Sequence, residues 1–180
     1  MNTYVALFRG INVGGNNILP MKELRGLLEN LGLQNISTYI QSGNVVFQTK
    51  EDDVSKISEM ISGKIEEKFN FRPWVLLLKQ SELEDAITSN PFPEAEADPS
   101  RLHLNFLASE PENPDMKKLD DIKKESENFK LTNSIFYLNA PEGIGRSKLA
   151  ASAEKLLGVP LTSRNWRTVQ KIMAIINKNG

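Results

Sequence analysis

The sequence predicts an α+β protein built of two ferredoxin-like halves packed together, and three observations point there. The first half alternates short β-branched and aromatic runs with helix-periodic ones in the order βαββαβ. The second half reads βαββα, then a short segment and a further helix, echoing the first in order although not in residues. The 180 residues, 39% hydrophobic, suffice for one sizeable core or two small subdomains sharing an interface. The expected division is a ferredoxin-like subdomain over 1–80, a helix and acidic connector over 81–100, and a second α+β subdomain over 101–180 that ends in basic helices.

Each element has its own local reason. Thr3 to Phe8 (TYVALF) is short, β-branched and aromatic and reads as a strand, followed by the Gly- and Asn-rich loop 9–17. Pro20 suits the first turn of a helix on which Leu24, Leu27, Leu28 and Leu31 recur until Gly32. Strands over 36–40 and 45–48 flank a Gln41-Ser-Gly-Asn44 hairpin turn. Asp52 or Asp53 caps a helix carrying Val54, Ile57, Ile61, Ile65 and Phe69, and Trp74 to Leu78 is the fourth strand.

In the second half, Ser81 and Glu84 suggest a capping box, and residues 90–99 read as a connector. Leu102, Leu104 and Phe106 alternate with Arg101, His103 and Asn105, which predicts a strand with one polar face and His103 at the surface. Pro114 opens a charged helix with Met116, Leu119 and Ile122 inward. Strands at 129–131 and 135–138 flank a second turn, and helices follow over about 147–157 and 166–176.

Composition removes several function classes. Without cysteine there is no disulfide, thiolate metal site or cysteine nucleophile. The opening MNTYVALFRG lacks an export signal's basic region and apolar run, and no run approaches the roughly 20 apolar residues of a membrane span, so a soluble, cytoplasmic protein is expected. No cluster has metal-ligand spacing, and no cofactor is called for. His103 is the sole histidine and no GxSxG accompanies it; Ser152 and Lys155 match SxxK without its partner motifs.

Charge is segregated. Residues 1–80 carry 9 Lys and Arg against 8 Asp and Glu, residues 81–142 carry 6 against 14, and residues 143–180 carry 7 against 1. The basic end either docks against the acidic middle or serves a ligand. Within it, Gly143-Ile-Gly145-Arg146-Ser147-Lys148 and Thr162-Ser-Arg164-Asn165-Trp166-Arg167-Thr168 place cations at two helix starts, where unpaired N–H groups already favour an anion. The spacing is not that of a P-loop, Ser147 and Asn165 double as ordinary caps, and Trp166 fits a core as readily as a stacking platform. A third cluster is Arg9, Asn12, Gly14 and Gly15 after the first strand, joined by Gln41, Ser42 and Asn44 in the hairpin turn. The first half's order is also that of an RNA-recognition module, in which Phe8 and Phe47 would stack on bases. The first strand is apolar on both faces, however, which predicts a covered sheet.

The stretches YVALFRGINVGGNN, PMKELRGLLENLGL, TYIQSGNVVF, NPF, GIGRSKL and TSRNWRTVQK, in that order, resemble the bacterial domain-of-unknown-function 1697 family over nearly the whole chain. The resemblance implies an α+β protein with a ferredoxin-like N-terminal part and no assigned activity. Its characteristic polar positions fall on Arg9, Asn12, Gly14, Gln41, Ser42, Asn44, Ser147, Arg164, Asn165 and Trp166. Taken together, the expected function is binding, with or without turnover, of a small phosphorylated or otherwise anionic ligand in a cleft between the halves. Arg9, Arg146 and Arg164 would hold the anion, with Ser147 and Asn165 orienting it and Lys148 adjacent. The alternatives are a nucleic-acid partner for the basic C-terminal segment, or a structural, partner-binding module without a ligand.

Overall fold

A computed structural model describes residues 1–179. The chain divides into two compact units, Met1–Asp85 with the segment from Lys171 onward, and Ala86–Gln170. Each contains one four-stranded antiparallel sheet.

The first unit runs β1 (Asn2–Arg9), α1 (Met21–Asn30), β2 (Gln34–Tyr39), β3 (Asn44–Thr49), α2 (Val54–Phe69) and β4 (Trp74–Lys79), with strand order β2-β3-β1-β4. That is the ferredoxin-like order, and local chemistry sets its boundaries. Asp53 accepts a hydrogen bond from Lys56 N at 3.0 Å to start α2, and Asn70 ends it in the left-handed region at φ 59°. Tyr4, Ala6 and Phe8 on β1, with Val45 and Phe47 on β3, join Leu24, Leu28, Ile57, Ile61 and Ile65 in a single core. Tyr4 stacks on its cross-strand neighbour Phe47 at 5.8 Å. Val5, Leu7 and Val46 on the opposite face are buried as well, as the two-faced apolar pattern of β1 requires. Phe8 and Phe47 therefore belong to the helix-side core, which removes them as base-stacking platforms.

The second unit repeats the topology. The helix α3 (Gln80–Thr88) starts directly after β4, in the first unit, and a 3₁₀ turn at Pro93–Ala97 follows. Next come β5 (Leu102–Leu107), α4 (Met116–Ile122), β6 (Asn128–Leu131), β7 (Ile135–Asn139), α5 (Lys148–Leu157), β8 (Leu161–Asn165) and α6 (Trp166–Asn179), with strand order β6-β7-β5-β8. β8 is the strand that completes the second βαββαβ, where the sequence predicts only a short segment between two helices. Its residues LTSRN are mostly polar, and pairing with β5 from Leu107↔Leu161 to His103↔Asn165 makes them a strand. α6 begins in this unit, and its residues from Lys171 belong to the first.

Three local expectations are corrected. β5 is buried at every position instead of showing a polar face, with His103 at 8% and Asn105 at 6% exposure. Both lie on the same side of the strand as Leu107, which packs with Leu119, Phe136, Leu138, Leu149 and Leu157. Met116 is 40% exposed, not inward, because α4 begins at that residue behind its Asp115 cap. At the start of α3 a Glu82 carboxylate accepts from Lys79 N at 2.7 Å, two residues ahead of the expected Ser81 cap.

Candidate functional site

In the first unit, the loop after β1 and the turn between β2 and β3 are built as one object. β1 carries Arg9 to its last position, and antiparallel pairing sets it opposite Trp74, whose ring centroid lies 5.8 Å from the guanidinium carbon. Asn12, at φ 53°, joins the two loops. Its Nδ2 donates to Gln41 O at 2.8 Å and to Leu19 O at 2.9 Å, while its Oδ1 accepts from Leu19 N at 2.7 Å. Asn is among the few residues with a side chain that tolerate this backbone region, and its short amide reaches both neighbours. Val13 and Asn16 pair across a two-residue turn whose centre, Gly14 and Gly15, has φ of 58° and 78°, as the tight hairpin geometry demands.

The turn is locked from below. Phe8 N donates to Gly43 O at 2.8 Å, and a Cβ on Gly43 would lie 2.5 Å from Phe8 Cβ and 2.7 Å from Ile11 Cδ1. Asn44 is buried and donates to Tyr39 O at 3.0 Å and Ser42 Oγ at 3.2 Å. Around this braced base Arg9, Gly14, Gly15, Gln41 and Ser42 are exposed, together with Val13, Ile18 and Ile40. Five of the seven expected first-half residues are thus at the surface of one hydrogen-bonded loop pair, braced by Asn12 and Asn44.

The second-unit candidates are used differently. Ser147 is buried and caps α5, accepting from Ala150 N at 3.0 Å, and Asn165 caps α6, accepting from Thr168 N at 2.9 Å. Trp166 is buried. Arg164 is half-buried on β8 and donates to Thr162 Oγ1 at 3.1 Å and Ser163 O at 2.8 Å; desolvation draws its pKa down to about 10. Arg146 and Lys148 are exposed at the start of α5.

Two neighbours of these residues were not among the candidates. Arg101 lies so close to Gly143 that a Cβ there would meet its Nη1 at 2.6 Å, and it ion-pairs with Asp98 at 3.7 Å. His103, directly across from the Asn165 cap, is buried with no hydrogen-bond partner for Nε2 among the described residues. Burial pushes its pKa down, a bond to the Ser100 backbone opposes that, and the Arg101 charge adds to the fall. Only the register of β8 reveals the His103–Asn165 pairing, just as only the register of β4 reveals Arg9 against Trp74.

No group of three or more His, Cys, Asp or Glu among the described residues could hold a metal ion. None of the described helices is long and apolar enough to cross a membrane. Three cavities of the first unit, of 410, 210 and 290 Å³, are lined by none of the residues expected to form a site.

The sequence model of the family described as "Protein of unknown function (DUF1697)" matches residues 1–137. The chain belongs to the DUF1697 family. Comparison with curated proteins gives no match. Among solved structures, a conserved bacterial protein from Streptococcus pneumoniae is similar over 97% of this chain and 98% of its own, at 28% identity and a TM-score of 0.71. The resemblance read from Arg9, Asn12, Gln41 and the neighbouring motifs is therefore sound as family membership over residues 1–137, and the α+β architecture is shared along nearly the whole length.

Proposed function

We propose that this DUF1697 protein binds a small phosphorylated or otherwise anionic ligand, with the braced loops of the first unit as the primary receptor. The observation that carries the reading is the use of Asn12. Two of its hydrogen bonds close loop 10–19 on Leu19 and the third ties that loop to Gln41 O in loop 40–43, and Arg9, Gly14, Gly15, Gln41 and Ser42 face solvent around this brace. Loops fixed in advance lose less entropy on binding than mobile ones. Glycines in the left-handed region bring their N–H groups close to an anion with no Cβ in the way, and nothing but Asn16 Nδ2, at 4.0 Å, lies within reach of a Cβ at either.

In the second unit, Arg146 and Lys148 are exposed at the start of α5 and make that helix end positive in its own right. Ser147 and Asn165 are used as helix caps, Trp166 is buried, and Arg164 bonds along β8, so these four hold the second unit's fold rather than the ligand. If a reaction follows binding, fixed donors stabilising developing negative charge supply it, since the sole imidazole is buried on β5.

A thermal-shift series with inorganic phosphate, nucleotides, sugar phosphates and short oligonucleotides tests this. A ligand at about 100 times its Kd adds nearly 3 kcal/mol to stability. Arg9→Ala and Gln41→Ala abolish that response while leaving the unliganded protein folded. A response to oligonucleotides alone, collapsing between about 50 and 200 mM salt, would replace this reading with nucleic-acid binding. Silence toward every anion would end it.

A further inference from the structure

On the side of the first sheet facing away from α1 and α2, the structure gathers neutral carboxamides. Thr3 on β1 sits directly opposite Gln48 on β3, which in turn faces Gln34 on β2. Between Gln34 and Ser37 the pairing shifts register, and Asn35 occupies the left-handed region at φ 51°. Asn35 Nδ2 donates to Gln48 Oε1 at 2.6 Å, and Gln48 Nε2 donates on to Thr3 Oγ1 at 3.2 Å. The end of α6 comes to the same place, where Asn179 Nδ2 donates to Ser37 Oγ at 3.0 Å.

These groups enclose space. Thr3, Asn35, Gln48, Gln80, Asn177 and Asn179 supply the polar lining of a 210 Å³ cavity, and Val46 and Ile176 supply its apolar part. A second cavity of 410 Å³ adjoins it, sharing Asn35 and Asn179. The smaller one has no ionisable group in its wall. In the larger one the two charged residues, Arg25 and Glu29, pair with each other at 3.0 Å.

That chemistry selects a class of guest. A carboxamide offers two N–H donors and an acceptor oxygen, so the Asn35–Gln48–Thr3 chain keeps donors and acceptors to spare after its internal bonds. An ion entering the smaller cavity would lose hydration without meeting opposite charge. A flat aromatic base would find no aromatic ring to stack on. A hydroxyl-rich neutral molecule matches alternating donors and acceptors, and its C–H faces match Val46 and Ile176. The volume lies below the roughly 300 Å³ at which drug-sized sites begin, which suits a single sugar ring, with the adjoining space open to an extension.

We propose that this amide-lined cavity binds a neutral polyol of monosaccharide size, at a site separate from the loops of Arg9 and Gln41. The test is a two-dimensional ¹H–¹⁵N NMR titration of the full chain with D-glucose, D-ribose and myo-inositol. Carrying it to about 50 mM reaches affinities in the millimolar range. At least one polyol gives saturable shifts in the side-chain amides of Asn35 and Gln48. Asn35→Gly, which keeps the left-handed backbone, and Gln48→Met, which keeps the shape, each weaken that binding at least tenfold, and Asn179→Ala does so from the helix side. Inorganic phosphate leaves those resonances in place. The proposal is overturned by the absence of saturable shifts with all three polyols, by shifts mapping outside the cavity, by variants binding as tightly as the parent, or by phosphate moving the same amides.

Discussion

The two units share one strand order and place similar polar residues around their strands and helix starts, yet they spend those residues in opposite ways. In the first, Asn12 and Asn44 serve inside the loops, and their bonds leave Gly14, Gly15, Gln41 and Ser42 exposed. In the second, Ser147 and Asn165 are consumed as helix caps, Trp166 is buried, and Arg164 bonds to its own strand. The lesson is that a polar motif residue points to ligand contact only after its structural duties are accounted for. By that test the second unit's motif residues mainly hold its fold, whereas in the first unit's loops Gly14, Gly15 and the Gln41 side chain remain exposed.

The largest effect that would break this contrast is expected at Gly43. Gly43→Ala sets a Cβ 2.5 Å from Phe8 at φ 77°, combining backbone strain with overpacking, and costs about 3 kcal/mol or more in urea unfolding. Gly14→Ala meets nothing closer than 4.0 Å and costs only the left-handed penalty of about 1 kcal/mol. Asn12→Ala comes next. Losing three hydrogen bonds destabilises the protein by about 2–3 kcal/mol and loosens both loops, seen as faster amide exchange around Gln41 and Leu19.

Ser147→Ala and Asn165→Ala are cap losses of about 1 kcal/mol each, and both variants leave first-unit ligand binding unchanged. A pH effect follows from His103. Its folded pKa lies below its usual 6.5, so the unfolded chain takes up the proton first. Stability is therefore complete above about pH 6.5 and falls as pH drops through that value toward the lower folded one. His103→Gln removes this component from a comparison of urea midpoints at pH 8 and 5.5. The smallest effect is at Arg25–Glu29, an exposed i,i+4 pair whose removal changes stability by only a few tenths of a kcal/mol.

Much of the fold was legible because its signals are local. Leu24, Leu27 and Leu28, or Ile57, Ile61 and Ile65, recur at helical spacing and are buried. Asp53, Ser147 and Gly158 mark helix ends by their own chemistry. What escaped was set by distant partners. β8 is a strand because β5 lies beside it, not because LTSRN favours one. His103 belongs to a strand covered on both faces, and an alternating pattern such as RLHLNFL reads as half-exposed when its cover is invisible. The residues of the first-unit site were legible as types, since Gly-Gly and Ser-Gly runs announce turns. Their division into braces and exposed donors was not, because it depends on Asn12 reaching Gln41, 29 positions away.

The most direct test of the central claim is an NMR titration of the full chain with inorganic phosphate and pyrophosphate, following backbone amides. The account predicts saturable shifts concentrated at Gly14, Gly15, Gln41 and Ser42, lost in Arg9→Ala. Shifts absent from those four residues, or retained in full by the Arg9 variant, would contradict it.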